Sequence, residues 1–161
     1  MGEVERGAER DDVTEAFDEV VRLVMRHLTD HGGLTFTAVM CLGRLDRDGP
    51  ARLTALAAAE GVSQPSMTQL VQRLERQGLA VRVRDPEDGR ASLIAISDTG
   101  RTLVARRLRD RHDRLADLLT TLSPEDDASL RSAMRVARPI VRSLVETARR
   151  SPHHPPRKET R

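Results

Sequence analysis

Apolar residues recur every three or four positions in several separate segments of the chain, the spacing of amphipathic helices. The first such stripe ends at "DHGG" (30–33), where glycine predicts a helix C-cap. Thr35 then predicts the N-cap of a second helix, which ends at "DRDGP" (46–50). The pattern therefore predicts two N-terminal helices over residues 11–48. Residues 1–10 carry no periodic pattern, and we expect them to be disordered.

The segment that follows, residues 52–78, predicts two short helices joined by a tight turn. Thr54 is a suitable cap for the first helix, and Gly61 permits the positive φ of a sharp turn. Ser63 is a suitable cap for the second helix, and Pro65 lies in its first turn, where a missing N–H costs nothing. This spacing is that of a helix-turn-helix.

Two β-like stretches come next, "LAVRV" (79–83) and "ASLIAIS" (91–97), separated by "RDPEDG". Their Val and Ile content and the turn residues between them predict a β-hairpin. A hairpin directly after a helix-turn-helix is a wing. We therefore assign residues 49–100 to a winged helix-turn-helix.

The remaining pattern predicts two further helices and a tail. Ser97 is expected to cap a long bridge helix with a polar middle and an apolar end. Ser123 is expected to start a final helix that is kinked at Pro139. Residues 101–150 are thus bridge and C-terminal dimerisation helices. The Pro-rich tail, 151–161, is predicted to be disordered.

The predicted fold class is mainly α, a winged helix-turn-helix with N- and C-terminal dimerisation helices and a small β-hairpin wing. The winged region is too small to cover the apolar stripes of the first and last helices. Left bare, they would expose well over a few hundred Å² of apolar surface. A twofold homodimer would bury them and present two reading helices about 34 Å apart, one turn of DNA.

Composition narrows the class of protein. The 161 residues suit one domain; there is no Trp or Tyr, and Phe17 and Phe36 are the only phenylalanines. The longest apolar runs fall far short of the roughly 18 residues that span a membrane, and the acidic N-terminus lacks a signal region. With Cys41 as the single cysteine, these features predict a cytoplasmic protein in a reducing compartment.

Charge is unevenly distributed although the net charge is only +2. Residues 1–30 carry nine acids and four arginines, whereas residues 91–161 carry fifteen bases and nine acids. Lys158 is the only lysine among 27 basic residues. Arginine matches phosphates and guanine edges, which favours nucleic acid as partner; coding bias is an equal alternative explanation.

The second helix of a helix-turn-helix lies in the major groove. Here its outward face carries groups that can bond to base edges or phosphates. These predicted DNA-binding residues are Ser63, Gln64, Pro65, Ser66, Thr68, Gln69, Gln72, Arg73 and Arg76. An ordinary solvated face would also be polar, but the preceding helix and following hairpin favour DNA binding.

The wing adds Arg82, Arg84 and Arg90 as positive groups, and a wing arginine can enter a narrow minor groove. Asp85 and Asp88 are expected to bond turn amides or to hold an arginine in place.

Metal chemistry is not favoured. In an EF-hand alignment on the turn glycine, Arg84 and Ala95 occupy positions that require acidic oxygens, which excludes calcium. His27 and His31 have i, i+4 spacing, but glycines follow at once and nothing completes a site. Cys41 lies among apolar residues, which favours an inert buried thiol over a redox switch. We predict no cofactor and no metal.

The chain resembles the MarR (multiple antibiotic resistance regulator) family over roughly residues 11–148. The resemblance lies in "LAAAEGVSQPSMTQLVQRLERQGLAVRVRDPEDGRASLIAISDTG", especially "GL", Arg82, "DPED", Arg90 and the stretch ending at Ser97 and Gly100. It implies an obligate homodimer with interleaved terminal helices and a winged helix that binds a pseudo-palindromic operator.

The resemblance also implies that Arg90 enters the minor groove while Asp88 braces the wing. Gly89 stands where the family usually has a second arginine, which makes the wing tip less basic and more flexible. Relatives often respond to small lipophilic or aromatic effectors in a cleft between the two regions.

The main hypothesis is a dimeric DNA-binding transcriptional regulator, a repressor relieved by a ligand, whose partners are double-stranded DNA and a second copy of the chain. The alternative is a winged-helix protein-interaction module with weak DNA binding, since residues 51–90 carry six arginines against five acids. An enzyme is not expected. The sequence offers no Ser/His/Asp set, paired carboxylates or phosphate loop.

Overall fold

The computed structural model describes residues 2–29, 32–86, 88 and 92–150, with side chains between 11 and 148. Six α-helices and one antiparallel hairpin form these ranges, which confirms the predicted fold class. In chain order they are α1 (Gly2–Leu23), α2 (Phe36–Asp48), α3 (Leu53–Ala59), α4 (Gln64–Arg76), β1 (Ala80–Arg84), β2 (Ser92–Ile96), α5 (Asp98–Leu119) and α6 (Pro124–Arg150).

Helix α1 begins at Gly2, so the expectation of disorder over residues 1–10 is wrong for 2–10. The segment contains no proline, and acidic residues near a helix N-terminus interact favourably with its dipole. At its other end α1 continues as a π-helical turn, Val24–Leu28. The tail 151–161 lies outside the described residues.

Four predicted caps are confirmed. The hydroxyl oxygen of Thr35 accepts from Ala38 N at 3.3 Å, and that of Ser63 accepts from Ser66 N at 3.3 Å. The Ser97 and Ser123 hydroxyls accept at 3.0 and 3.1 Å from the amides three residues on. These caps satisfy amides that have no partner inside their helices.

The predicted cap of α3 is wrong. Its N-cap is Arg52 and not Thr54, and no side-chain hydrogen bond caps it. Two backbone hydrogen bonds join Ala51 to Ile94 of β2, at 3.0 and 2.8 Å. This pairing fixes the chain just before α3, so tertiary structure sets where the helix starts.

The core lies within the winged helix. Gly61 makes the turn between α3 and α4 with a φ of 64°. The inner faces of both helices pack against α2 and the hairpin. The buried cluster comprises Leu34, Ala38, Cys41, Leu42, Leu45, Leu56, Ala57, Met67, Val71, Leu74, Leu79, Ala80, Ile94 and Ile96.

Helix α5 starts directly against the end of α4. The Ser97 hydroxyl donates to Gly78 O at 2.5 Å, and Ser97 N donates to Leu79 O at 3.1 Å. A Cβ on Gly100 would collide with the carbonyl oxygen of Leu79. The bridge helix is therefore seated on the helix-turn-helix through close backbone contact.

Helices α1 and α6 leave large apolar side chains exposed. Phe17 of α1 and Ile140 of α6 are 43% and 58% exposed. Among the side chains that the structure describes on these two helices, the exposed large apolar ones are Val13, Phe17, Val20, Val21, Leu23, Leu130, Met134, Val136, Ile140, Leu144 and Val145. Helix α6 continues through Pro139 without interruption. No helix in the described ranges has the length and hydrophobicity needed to cross a membrane.

Candidate nucleic-acid interface

Helix α4 has two contrasting faces. Met67, Val71 and Leu74 are buried, and they hold the helix on α2 and α3. All of the predicted DNA-binding side chains on α4 and at its cap are exposed, except that of Thr68, which is half-buried. The sequence pattern thus identified the outward face correctly.

Several of these groups are ordered by local hydrogen bonds. The Ser63 and Ser66 hydroxyls lie 2.8 Å apart, and the Thr68 hydroxyl donates to Gln64 O at 2.9 Å. Arg76 Nε donates to Gln72 O at 3.3 Å, which holds the Arg76 guanidinium along the helix. Side chains fixed in this way lose less entropy when they bind.

The hairpin pairs Ala80 with Ile96 and Arg84 with Ser92 at its two ends. Arg84 is exposed at the outer end of β1, where the chain enters the turn of the wing. Asp88 is also exposed, whereas Gly89 and Arg90 lie outside the described residues. The entry of Arg90 into the minor groove and the bracing of the wing by Asp88 therefore stay predictions.

Arg82 has a bracing contact that the sequence did not indicate. Its Nε lies 3.0 Å from Glu75 Oε1 of α4, and its Nη1 donates to Ser92 Oγ at 3.5 Å. The wing strand is thereby tied to the recognition helix. An arginine held by a glutamate is less available to a phosphate, and the contact of Arg82 with DNA stays a prediction.

Asp85 is the one charged residue that is buried in the described part of the chain, at 5% exposure. Arg52 donates to its Oδ2 twice, from Nε at 3.2 Å and from Nη2 at 2.8 Å. The expectation that Asp85 holds an arginine is confirmed. Arg52, however, was not among the predicted site residues, because it lies 33 positions away in sequence.

Comparison with known proteins agrees with this geometry. The sequence profile of the MarR family matches residues 32–91. An HTH-type transcriptional regulator of Mycobacterium bovis is 35% identical over 100 residues, which are 62% of this chain and 70% of that protein. A second one, of Mycobacterium leprae, is 32% identical over 116 residues, 71% of this chain and 81% of that protein. The chain belongs to the MarR family.

Solved structures support the same fold. A transcriptional regulator from Thermotoga maritima superposes with a TM-score of 0.67 at 24% identity, covering 88% of this chain and 98% of that one. A MarR family protein from Bacillus stearothermophilus gives 0.64 at 20% identity, covering 88% and 99%. As a MarR-family member, the protein is a DNA-binding transcriptional regulator with a winged helix.

This MarR-family chain contains a cavity of about 550 Å³ between α2, α5 and the π-helical turn that follows α1. Its apolar lining includes Leu28, Leu34, Val39, Met40, Leu103 and Val104. Its polar lining includes Asp46, Arg47, Arg106, Arg107, Asp110, Arg111 and Arg114. Arginines outnumber carboxylates in this lining, so the cavity has apolar walls and a net positive polar side.

Cys41 lies on α2 at 0% exposure. Burial, together with the nearby carboxylate of Glu60, raises the pKa of its thiol to about 11, and Arg44 opposes part of this shift. Arg44 Nε donates to Glu60 Oε1 at 2.9 Å, which holds these two side chains together near the thiol. A neutral, buried thiol is a poor nucleophile, so the inert reading of Cys41 is supported.

No group of three or more His, Cys, Asp or Glu side chains suited to hold a metal ion occurs within the described ranges. His27 lines a separate, more open cavity with Arg114 and Asp117, while His31 lies outside those ranges.

Proposed function

We propose that the protein is a homodimeric cytoplasmic repressor that binds a pseudo-palindromic operator and is released by a small ligand. Helix α4 would read base edges in the major groove while the wing enters the minor groove. The observation that carries this proposal is the exposed polar face of α4. It combines amide, hydroxyl and guanidinium groups on a helix that is rigidly seated by its buried face.

A gel shift with the promoter of the protein's own operon, at two salt concentrations, tests the DNA-binding part. A specific shift that weakens steeply with salt is expected, because bound arginines release counterions from DNA. The absence of any shift at either concentration would contradict the proposal. It would instead favour a protein-interaction module, an alternative consistent with the winged region's six arginines against five acids.

The homodimer is supported by the exposed apolar faces of α1 and α6. Exposed patches of this extent on a chain of 161 residues are typical of protein–protein contacts. Sedimentation velocity is expected to give twice the 17.9 kDa chain mass at micromolar concentration. A single species at the chain mass would contradict the dimer.

The effector part rests on the cavity beside α2. Its apolar walls suit a lipophilic or aromatic body, and its arginines favour a carboxylate on that body. One solved structure of similar fold, MepR of Staphylococcus aureus, contains ethidium bromide, an aromatic cation (TM-score 0.55, 20% identity). The arginine-rich lining of the cavity in this chain instead predicts a preference for an anionic ligand.

Calorimetry with benzoate, 1-naphthoate and ethidium tests this preference. The two carboxylates are expected to bind and to lower operator affinity, with naphthoate tighter because it buries more apolar surface. Tighter binding of ethidium would contradict the proposed anionic class. Binding of none of the three would remove the support for this effector class.

A further inference from the structure

The outer end of β1 is attached to the start of α3 by an ion pair that no direct contact with DNA explains. Asp85 follows directly after β1, and its carboxylate is buried against the guanidinium of Arg52. Both Nε and Nη2 of Arg52 donate to the same carboxylate oxygen. A charge buried this deeply is strongly destabilising without its partner, so the pair fixes the two segments together.

Neighbouring contacts make this attachment rigid. Ala51, next to Arg52, forms two backbone hydrogen bonds with Ile94 of β2. Arg52 is itself the N-cap of α3, so the ion pair links the hairpin to the first helix of the helix-turn-helix. Arg82 and Glu75 link the hairpin to the second helix. The wing is thus held at two points, one on each helix of the motif.

The Arg52 attachment is the one nearer to the wing tip. Asp85 adjoins Arg84 and lies five positions before Arg90, the predicted minor-groove residue. A small rotation where the turn leaves β1 becomes a larger displacement at the tip of the wing. The angle between the wing and α4 decides whether both can enter their grooves together.

We propose that Arg52 and Asp85 are positioning residues for DNA binding, which set the wing at the angle that brings its tip into the minor groove. The proposal rests on the DNA-binding function proposed above. Asp85 is buried and acts without touching DNA. Arg52, whose side chain is 52% exposed, acts mainly through Asp85.

Asp85→Asn tests the proposal, because a positioning role and a purely electrostatic effect predict opposite changes in operator affinity. Removing a negative charge near DNA should tighten binding if only net electrostatics matter. If Asp85 positions the wing, binding should weaken by about 10-fold, the size of effect of losing one groove contact. Asp98→Asn is the matched control, since Asp98 is fully exposed at the start of α5. It removes the same charge and is expected to leave affinity unchanged or slightly tighter.

A double-mutant cycle with Arg90→Ala tests whether Asp85 affects DNA binding through the wing tip. If Asp85 acts through the wing tip, Asp85→Asn should cost little in a chain that already carries Arg90→Ala. Hydroxyl-radical footprinting should show lost protection only in the flanking minor grooves. Protection of major-groove guanines from methylation should stay. Arg52→Lys keeps the positive charge but makes fewer contacts with Asp85, so it should give an intermediate loss of operator affinity. It serves as the second variant if Asp85→Asn lowers the stability of the fold.

Each result has a defined meaning. Affinity of Asp85→Asn equal to or tighter than wild type overturns the positioning role while DNA binding stands. Additive losses in the cycle also overturn it, since the two sites would then act independently. Wild-type protein that binds no operator overturns both proposals.

Discussion

At the scale of single residues, the Cys41 thiol makes stability depend on pH in an unusual range. In the unfolded chain this thiol ionises near its ordinary pKa of 9.0, whereas burial raises its pKa to about 11 in the folded chain. A group with a raised folded pKa contributes stability that is present below the unfolded value and is lost as pH rises towards the folded value. The window is therefore pH 9 to 11.

Cys41→Ala tests this pH dependence. In the wild type, the free energy of unfolding should fall by about 2 kcal/mol between pH 9 and 11, because the thiol ionises near 9.0 in the unfolded chain and near a pKa of about 11 in the folded chain. The chain has no Tyr and a single Lys, so few other groups titrate there. Urea unfolding at fixed protein concentration should show this slope flattened in Cys41→Ala. An unchanged slope would show that the thiol is not responsible.

Gly100 is a second residue whose identity the packing dictates. Its Cα faces the Leu79 carbonyl so closely that Gly100→Ala must push α5 away from the end of α4. We expect a loss of about 1–3 kcal/mol in unfolding free energy, the usual range for overpacking. Gly43→Ala in α2 is the control. A Cβ there meets only the flexible end of Arg47, at 3.2 Å, so helix propensity should raise stability by up to about 1 kcal/mol. Equal effects of the two variants would contradict this packing argument.

At the scale of elements, the outward face of α4 should determine which sequences are bound. Gln69 and Arg73 are exposed at positions that can reach base edges. Gln69→Ala or Arg73→Ala should change the consensus obtained by in-vitro selection, at one or two base positions. A uniform loss over all sequences would assign them to phosphates instead.

We expect the wing to contribute mainly to the affinity of the protein for its operator. Arg90→Ala is expected to weaken operator binding by about 1–3 kcal/mol and to lower the salt dependence by about one ion. Arg84→Ala, on the adjacent exposed part of the wing, is the comparison variant. Fluorescence anisotropy at several salt concentrations measures both. Unchanged affinity of Arg90→Ala would exclude a groove contact for this arginine.

Element boundaries could be predicted where local chemistry decides them. Ser63 and Ser97 cap because a hydroxyl meets an amide three residues on, and Gly61 turns because its φ is positive. The start of α3 could not be predicted in this way. Thr54 is a good local cap, but the pairing of Ala51 with β2 places the cap at Arg52. Contacts between residues that lie far apart in the sequence produce no periodic pattern along it. The Arg52–Asp85 pair and the cavity could therefore be recognised only in the folded structure.

At the scale of the whole molecule, the charges on the terminal helices are complementary. Asp11, Glu15 and Asp18 form an acidic row along α1, with spacings of four and three residues. Arg135, Arg138 and Arg142 form an arginine row along α6. In the described part of the chain, neither row takes part in an ion pair. In a dimer, the acidic row of one chain and the arginine row of its partner can satisfy each other.

Charge reversal tests this arrangement. We expect each of two triple variants to weaken the homodimer by roughly 100-fold. The first reverses the acidic row, D11R/E15R/D18R, and the second reverses the arginine row, R135E/R138E/R142E. About 0.5 kcal/mol for each of the six contacts across a twofold gives this estimate. Mixed in equal amounts, the two variants should form a heterodimer, because each reversed row then meets its opposite on the partner chain. Sedimentation velocity and native mass spectrometry measure this directly.

The mixture also separates contacts between chains from contacts within one chain. A chain that carries both reversals regains charge complementarity in either case and serves as the positive control. Mixing the two charge-reversed variants can restore dimer formation only if the rows meet across the dimer. Within either variant alone, the rows on α1 and α6 carry the same charge and repel each other. Recovery of the double variant without recovery of the mixture would place the two rows together within one chain and contradict the proposed pairing.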